Sequence, residues 1–405
     1  MLPSLLALAA CRATPPEPAT TSEPTALAFI GGRVYTTPDA PPIDDSVVLV
    51  QSGRITAVGS RATTSVPPST TTIECTGLVV TAGFQNSHVH FTPPGWTTPS
   101  SAPAREVVNQ LLAMLTRWGF TTVVDTGSDP AMTGLLRRRI ESGEVSGPRI
   151  LTAGLPLYPP NGVPYYVRET VPANLVNALP QPASPDEAAA LVRGDSGSRD
   201  VIKLFAGSWI DRNTVRPMPA DIAASAVREA HALGKLVFAH PSNVAGLDVA
   251  LSAGVDVLAH AIEDTDGFMP SHLDRMKRQN LALVPTFTLF EGAEHVIEWV
   301  RRYASAGGQI LFGTDVGYLE NVNPADEYAF MARAGIGYRE VLASLTTSPA
   351  QRFREEARRG RVAPGLEADL VVLWADPALD PRAFADVRYT VREGRIIYAA
   401  ADRTN

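Results

Sequence analysis

The sequence has little of several features that define common classes of protein. Only two of its 405 residues are cysteines, which excludes a disulfide scaffold and a four-thiolate metal site. Lys and Arg number 35 against 42 Asp and Glu, a net charge of −7, so no basic excess favours nucleic acid and we expect no such partner. No apolar run approaches the ~18 residues that a membrane-spanning helix needs. Any chemistry must therefore come from His, Asp, Glu and Lys.

What the chain does contain is typical of a packed globular protein. Hydrophobic residues make up 45% of it and charged residues 19%. At ~150 residues per domain, the length predicts two or three domains, or one large barrel with a smaller satellite.

The first 25 residues are predicted to be a targeting segment. Apolar residues lead to Cys11, and Leu8-Ala9-Ala10-Cys11 has the form of a bacterial lipobox. Residues 12–25 are rich in Pro, Thr and Glu, as a solvated tether should be. No Lys or Arg precedes the apolar run, so a disordered tail is the alternative. We expect a lipid anchor at Cys11 as the only membrane attachment, and a location in the cell envelope, periplasmic or extracellular.

The rest of the chain divides into β-rich ends and an alternating centre. Residues 26–81 and 362–400 predict short strands, and we expect the two ends to combine into one small β-sandwich domain. Residues 82–361 repeat a strand followed by a helix, and eight such strands predict a (β/α)₈ TIM barrel, an α/β fold. An open doubly wound sheet is the alternative, but no Gly-rich phosphate fingerprint follows the first strand.

Candidate metal ligands fall at the ends of predicted barrel strands, where such barrels carry their active sites. They are His88 and His90 after the first strand, His240 after the fifth, His260 after the sixth and Asp315 after the eighth. Since residues i and i+2 of a strand point the same way, the first two can chelate one ion. Imidazole and carboxylate ligands suit Zn²⁺, with Mn²⁺ and Fe²⁺ as alternatives.

Lys203 is the most informative single residue. It lies inside the apolar strand Val201-Ile202-Lys203-Leu204-Phe205, where an unpaired ammonium is costly. A lysine that points out of the barrel is the structural alternative. Near bound cations its pKa is expected to fall, because adjacent positive charge disfavours the ammonium form.

Together these motifs resemble the metal-dependent amidohydrolases, specifically the imidazolonepropionase and prolidase-like branch. The resemblance covers roughly residues 26–400. It rests on these stretches: His88-Val89-His90, Ile202-Lys203-Leu204, Ala239-His240, Ala259-His260, Gly313-Thr314-Asp315 and Gly365-Leu366-Glu367-Ala368-Asp369-Leu370-Val371-Val372-Leu373. Relatives usually carry Asp where this chain has Asn86, a departure that affects the orientation of a ligand histidine.

The resemblance implies a centre of two divalent metal ions, most simply zinc. One ion would be bound by His88, His90 and Asp315, the other by His240 and His260, with Lys203 shared as a CO₂-carbamylated ligand. Asp315 is then the catalytic residue, which accepts a proton from a metal-bridging water and delivers it to the leaving nitrogen. The implied reaction is hydrolysis of a carbon–nitrogen bond in a small-molecule amide.

Three alternatives stay open. A mononuclear deaminase would use His88, His90, His240 and Asp315, without need of the lysine. A lactonase or phosphotriesterase would use the same two metals. A surface binding protein on an inactive scaffold would be expected to have lost ligands, and none is lost here. Neither the substrate nor the oligomeric state follows from the sequence.

Aromatic residues are concentrated in the loops that should surround the barrel mouth. They are Trp96, Tyr158, Tyr165, Tyr166, Trp209, Phe287, Phe290 and Tyr318. As a group they favour a substrate with an apolar portion. Tyr165 and Tyr166 are the predicted substrate contacts, and Arg168 beside them is predicted to hold a carboxylate. We therefore expect an N-acyl amino acid or a dipeptide-like amide as substrate.

Overall fold

A computed structural model describes residues 26–194 and 197–403 of the chain. The predicted lipobox, with Cys11, and the predicted tether lie outside these described residues. Within them, no helix is both long enough and apolar enough to cross a membrane.

Strands occupy both chain ends and alternate with helices between them. In chain order the strands are β1 (Leu27–Ile30), β2 (Arg33–Val34), β3 (Ser46–Gln51), β4 (Arg54–Ser60), β5 (Thr71–Glu74), β6 (Val79–Ala82), β7 (Phe84–Val89), β8 (Phe120–Asp125) and β9 (Arg149–Thr152). They continue with β10 (Ile202–Phe205), β11 (Gly207–Trp209), β12 (Val215–Pro217), β13 (Val237–His240), β14 (Val257–Leu258), β15 (Ala282–Leu283), β16 (Leu370–Leu373), β17 (Val387–Arg392) and β18 (Arg395–Ala399).

The helices pack outside the central strands. They are α1 (Ala104–Met114), α2 (Pro130–Glu141), α3 (Tyr165–Thr170), α4 (Ala173–Val176), α5 (Pro185–Gly194), α6 (Ala220–Ala232), α7 (Val244–Ala253), α8 (Pro270–Arg278), α9 (Glu294–Ser305), α10 (Ala325–Arg333), α11 (Tyr338–Leu345) and α12 (Thr347–Arg352). Short 3₁₀ helices span Thr116–Trp118, Phe287–Phe290 and Pro381–Ala385.

The central strands are parallel and give the chain a barrel-like α/β fold. One sheet has the order β7-β8-β9 and another the order β10-β13-β14-β15. Isolated parallel bridges continue the arrangement, joining Leu157 to Leu204, Leu283 to Ile310 and Val89 to Val316. One apolar cluster takes residues from successive parallel segments: Val124, Ala153, Val201, Phe238, Val257, Ala259, Ala282, Val284 and Leu311. These side chains form a common apolar core shared by the parallel segments.

The segment before Asp315, predicted to be the eighth barrel strand, forms an isolated parallel bridge between Ile310 and Leu283 in place of a continuous strand. The backbone N–H of Phe312 donates to Ser344 O in α11, and its carbonyl accepts from Ser87 N. Three residues later Asp315 has a φ of 58°, which takes the backbone out of the extended conformation. The segment therefore follows β7 through scattered hydrogen bonds in place of a continuous ladder.

The two chain ends meet in neighbouring sheets. One sheet has the order β4-β3-β1-β5, and the other has the order β18-β17-β16-β6-β2. β16, from the C-terminal end, pairs antiparallel with β6, so that Leu370 lies opposite Ala82. Both sheets contribute to one apolar cluster that includes Phe29, Val50 and Val372. Since β7 begins two residues after β6, this contact also fixes the start of the strand that carries His88.

Candidate metal centre

His88 and His90 lie at the carboxyl end of β7 with their side chains on one side of the strand. Their Nε2 atoms are 3.2 Å apart, and the His88 side chain is fully buried. The backbone N–H of His90 donates to Val316 O, which ties this strand end to the segment that carries Asp315. The period-two spacing therefore produces the convergence expected of a chelating pair.

Asp315 completes a compact set of three donors. Its Oδ1 lies 3.2 Å from His88 Nε2 and 3.0 Å from His90 Nε2. The backbone N–H of Asp315 donates to His88 O, and the φ of 58° turns the side chain back toward the two imidazoles. Aspartate tolerates this left-handed conformation better than most residues, because its short side chain can bond locally.

Asn86 holds the two segments of this set together. Its Nδ2 donates to Thr314 Oγ1 at 2.8 Å, and its Oδ1 accepts from the backbone N–H of His88 at 3.2 Å. The sequence suggested that Asn in place of Asp removes a group that orients a ligand histidine. In the structure, the Asn86 side-chain amide links the backbone of His88 to Thr314, the residue before Asp315, and both its oxygen and its nitrogen form hydrogen bonds.

The spacing of the three donor atoms is that expected of ligands that share one metal ion. Neighbouring ligands of a Zn²⁺ ion with bonds of about 2.0–2.1 Å lie roughly 3 Å apart, which is the spacing seen here. Asp315 Oδ1 and His88 Nδ1 are buried without a hydrogen bond of normal geometry to any described residue. Burial lowers the pKa of His88 to about 3, so its imidazole is neutral, as a ligand must be. These residues fit a divalent cation.

Two further histidines lie against this set. His240 ends β13, and the centroid of its ring is 4.6 Å from that of His260. The ring of His260 lies 4.4 Å from that of His88, and donor atoms of His88, His260 and Asp315 lie within 4.8 Å of one another. Burial holds the pKa of both His240 and His260 well below the usual value, which keeps both rings neutral.

Hydrogen bonds fix which nitrogen two of the histidines offer. His260 Nδ1 is 2.9 Å from Thr286 Oγ1, whose hydroxyl donates to Pro285 O. Thr286 Oγ1 must therefore accept from Nδ1–H, which leaves Nε2 of His260 with a free lone pair. In the same way His90 Nδ1 lies 3.0 Å from the Gly127 carbonyl and donates to it, so its Nε2 is free to bind a metal.

Lys203 lies in β10 beside these imidazoles and is 2% exposed. Its Nζ is 5.7 Å from the centroid of the Phe205 ring, and it forms no hydrogen bond or ion pair with another described residue. Burial lowers its pKa to about 7, although the Asp315 carboxylate acts in the opposite direction. Burial therefore favours the neutral amine form of Lys203.

Asp125 is a functional candidate that the sequence analysis missed. This buried carboxylate at the end of β8 accepts from Ser128 Oγ at 2.6 Å, Thr152 Oγ1 at 2.8 Å and Thr133 Oγ1 at 3.1 Å. It also accepts from the backbone N–H of Gly127, the residue whose carbonyl holds His90. Its position at the end of a predicted strand could have identified Asp125 in the sequence. It was not identified because an Asp without a neighbouring His does not form a recognisable metal-binding pattern.

A cavity of about 610 Å³ opens over the metal ligands. Its aromatic lining consists of Tyr158, Tyr165, Tyr166, Phe205, Trp209, Phe290 and Tyr318, joined by aliphatic residues of the segment after α3. The predicted contacts Tyr165 and Tyr166 are therefore at the cavity. Trp96 and Phe287 are not, because both are buried in the main core.

The structure does not bring Arg168 to the cavity. It is absent from the lining residues, and its guanidinium donates to the backbone carbonyl of Ile210. The contact with the Ile210 carbonyl directs the Arg168 guanidinium away from the cavity, and sequence proximity to the tyrosines did not predict this contact.

Comparisons with known proteins agree with this site and fold. The model of the amidohydrolase family matches residues 79–397. An uncharacterized protein of Mycobacterium tuberculosis is 28% identical over 223 residues, which cover 48% of this chain. The chain spans 57% of the length of that relative.

Two solved structures share the overall fold. A Xaa-Pro dipeptidase with bound methionine in its active site superposes with a TM-score of 0.79 at 21% identity, over 93% of this chain and 100% of that one. A putative prolidase from Bifidobacterium longum gives 0.76 at 22% identity, over 95% and 97% of the two chains. Since the family match spans most of the sequence and includes all six candidate ligands, the chain belongs to the amidohydrolase family.

Proposed function

We propose that this protein is a metal-dependent hydrolase that cleaves a carbon–nitrogen bond in a small amide. It would hold two divalent ions, zinc in the first instance, through these residues: His88, His90, Lys203, His240, His260 and Asp315. The observation that carries the proposal is Lys203, a buried amine without a hydrogen-bond partner in the described part of the chain. An uncompensated buried amine costs stability, so its place beside neutral imidazoles and an unsatisfied carboxylate indicates a role in binding.

We further propose that Lys203 is carbamylated. The lone pair of neutral Nζ attacks the carbon of CO₂, forming an N–C bond while one C=O π pair moves onto oxygen. The nitrogen then releases one proton to solvent, leaving a carbamate with one negative charge. A pKa of about 7 supplies the neutral amine that this step needs. The product has an anionic carbamate in place of the neutral amine, which suits a position among metal ligands.

The residues around the ligands divide the work of hydrolysis. When bound, the metal ions would polarise the scissile carbonyl and lower the pKa of a water. Asp315 would accept a proton from that water and return it to the leaving nitrogen. The aromatic lining would bury an apolar part of the substrate and exclude water. The resemblance of the fold to a dipeptidase and a prolidase favours a dipeptide-like amide.

Metal analysis and an activity screen test this function directly. Protein purified with Zn²⁺ is expected to contain two ions per chain and to hydrolyse N-acyl amino acid amides or dipeptides with apolar side chains. Lys203→Ala should lose at least one ion and most turnover, with partial recovery on adding a short carboxylic acid. Lys277→Ala, which changes an exposed lysine of α8, is the matched control and should behave as the wild type. Full metal content and activity in Lys203→Ala would refute the binuclear centre.

A mononuclear deaminase is the second candidate. One observation favours it: among the six candidate ligands, which all lie in the described part of the chain, only His88, His90 and Asp315 have donor atoms within 3.2 Å of one another. Such an enzyme would contain one ion per chain, tolerate Lys203→Ala and release ammonia from a nucleobase. The metal count and the response of Lys203→Ala therefore separate the two.

We also propose two features of the whole molecule. The parallel strands and bridges would form a closed eight-stranded barrel, and the sheets of residues 26–81 and 362–400 would form a β-sandwich.

Lipid attachment at Cys11 would hold the protein in the cell envelope, and the Leu8-Ala9-Ala10-Cys11 pattern supports this proposal. On cell fractionation, Cys11→Ser should move the protein from the membrane fraction to the soluble one. Unmodified wild-type protein in the cytoplasm would refute the anchor.

A further inference from the structure

The cavity over the metal ligands has an uneven distribution of charge. Among its lining residues the only Lys or Arg is Lys203, which lies at the ligands, whereas Asp129 and Glu263 add carboxylates. The carboxylate of Asp129 already accepts a hydrogen bond from the backbone N–H of Met132 at the start of α2. Glu263 is exposed and forms no ion pair with another described residue. The cavity lining near Glu263 therefore has a negative charge that is not paired with a described cation.

Two arginines close to the cavity do not change this balance. Arg168 donates to the Ile210 carbonyl, and Arg212 lies over the outer part of the site with its guanidinium carbon 5.3 Å from the centroid of the Tyr165 ring. Neither belongs to the lining. A substrate carboxylate entering here would lose water without gaining a cationic side chain, which is unfavourable.

The surroundings of Glu263 resemble a recognition site for a cation. Its Oε2 accepts from Trp209 Nε1 at 3.1 Å, which fixes the carboxylate against an indole that also lines the cavity. Its backbone N–H donates to Ser242 O, and His295 Nε2 lies 2.9 Å from its carbonyl. A positioned carboxylate can bind an ammonium or guanidinium by charge, and the aromatic rings that line the same cavity can add cation–π attraction.

Glu263 follows His260 by three residues, so the carboxylate stands on the loop that leaves a metal ligand. A substrate whose scissile carbonyl lies at the ligands can therefore extend its other end toward Glu263 across the aromatic lining. We propose that the substrate is an amide with an apolar body and a cationic end group bound by Glu263, without a free carboxylate at that end. This deepens the proposed function, because it rests on amide hydrolysis at the same ligands.

A matched substrate series tests the inference. The three probes are the n-butylamide of N-acetylphenylalanine, its ω-ammonium analogue and its ω-carboxylate analogue. With the metal-loaded enzyme, kcat/KM should be about five- to tenfold higher for the ammonium form than for the neutral form, and lowest for the carboxylate. Added salt should reduce the preference, since it screens exposed charges.

Variants assign the preference to one side chain. Glu263→Gln should remove the advantage of the ammonium form and change the neutral form less than twofold, because only charge recognition is lost. Asp266→Asn removes an exposed carboxylate three residues further on that does not line the cavity, and it should keep the preference. A fastest rate with the carboxylate form, or an unchanged preference in Glu263→Gln, would overturn the inference.

Calorimetric binding of the same three amides separates this inference from the proposed function. If none of them is hydrolysed but the ammonium form binds tighter in a Glu263-dependent way, amide hydrolysis fails and the cation site stands. If hydrolysis occurs while the ammonium and neutral forms bind and react equally, the function stands and the cation site fails.

Discussion

Two buried clusters of ionisable side chains differ in how their charges are satisfied. The metal-centre cluster consists of His88, His90, Lys203, His240, His260 and Asp315. The junction cluster lies between β9 and the sheet at the chain ends and consists of Arg149, Glu355, Arg358, Arg359, Glu367, Asp369 and Glu393. Both have members that are almost fully buried.

In the junction cluster each charge meets an opposite charge. Arg149 contacts Glu367 and Asp369, both at 3.1 Å, and Arg359 lies 2.7 Å from Glu367. In the metal-centre cluster, Lys203 has no ion pair among described residues and a pKa lowered to about 7 by burial. Paired buried charge is typical of a structural contact, whereas unpaired buried charge indicates a site that awaits a ligand. The pairing of buried charges therefore distinguishes a structural cluster from a functional cluster in the same chain.

The largest effect should come from neutralising Asp315. We expect Asp315→Asn to lower kcat of the metal-loaded enzyme on the order of 10³-fold, because a proton acceptor and a ligand charge are lost. The unfolding free energy of the metal-free protein should change by less than about 3 kcal/mol, because Asp315 Oδ1 contacts two imidazoles and no guanidinium or ammonium among the described residues. Amide turnover and urea unfolding measure the two effects. A fall in stability without loss of activity would contradict the distinction between the clusters.

Arg359→Met should have the opposite pattern. Removing Arg359 takes away the most buried cationic partner of Glu367, which then keeps only Arg149 and the half-exposed Arg358, so the unfolding free energy should fall by up to about 3–5 kcal/mol. Metal content and kcat of the folded enzyme should change little. Arg358→Met is the matched control, because that side chain is 55% exposed and its pair with the same carboxylate should contribute less than about 1 kcal/mol. Equal losses in both variants would disprove the role of burial.

Asp125→Asn tests whether the metal-centre cluster depends on its supporting bonds. The change weakens the contacts that place Gly127 and its carbonyl against His90, so metal affinity should fall by about 10- to 100-fold. Competition with a chelator measures this affinity, and the pH profile of turnover reports the altered ligand. Asp129→Asn, which changes a neighbouring exposed carboxylate, should keep the wild-type affinity. If both variants bind metal equally, Asp125 does not position His90.

Glu327 is intermediate between the clusters and should have the smallest effect. It accepts from Phe287 N, Thr288 N and Thr288 Oγ1 but has no cationic partner among the residues that the structure describes, and burial raises its pKa from 4.5 to about 7. Between these pH values the folded chain binds more protons at this group than the unfolded chain, so stability falls as pH rises through the window.

The expected slope from Glu327 is at most about 1.4 kcal/mol per pH unit. Urea unfolding of metal-free wild type and Glu327→Gln, measured from pH 4.5 to pH 8, gives it as the difference between the two curves. Above the window the curves should run parallel. Parallel curves throughout would show that this carboxyl titrates normally in the folded protein.

The sequence predicted the metal-centre cluster more fully than its surroundings. His88 and His90 were found because alternate residues of a strand share a face, and parallel strands bring their carboxyl ends to one side. Lys203 stood out because a charge interrupts an apolar strand. These are local patterns with a direct geometric meaning, and the structure brings the six residues together around the cavity.

The parts that were not predicted depend on contacts distant in sequence. Asp125 acquires its meaning from Thr152 and from the Gly127 carbonyl, which only the fold brings to it. Trp96 follows the first ligands by a few residues, yet it packs against Phe91 in the core and leaves the cavity to other aromatics. In both cases the path of a loop decides which residues a side chain meets. The local composition of the sequence does not specify that path.

The pairing of β16 with β6 has a consequence for when the molecule can mature. Leu370 and Ala82 are 288 positions apart (370 − 82), and Gly83 N, at the entry to β7, donates to Asp369 O. Closing a loop of that length costs about 5 kcal/mol of chain entropy on the logarithmic scale. At about 5–20 residues per second, a ribosome needs some 14–60 s between making the two strands. The strand that bears His88 is thus anchored only after β16 has been synthesised, and chains that have not reached β16 should capture metal poorly.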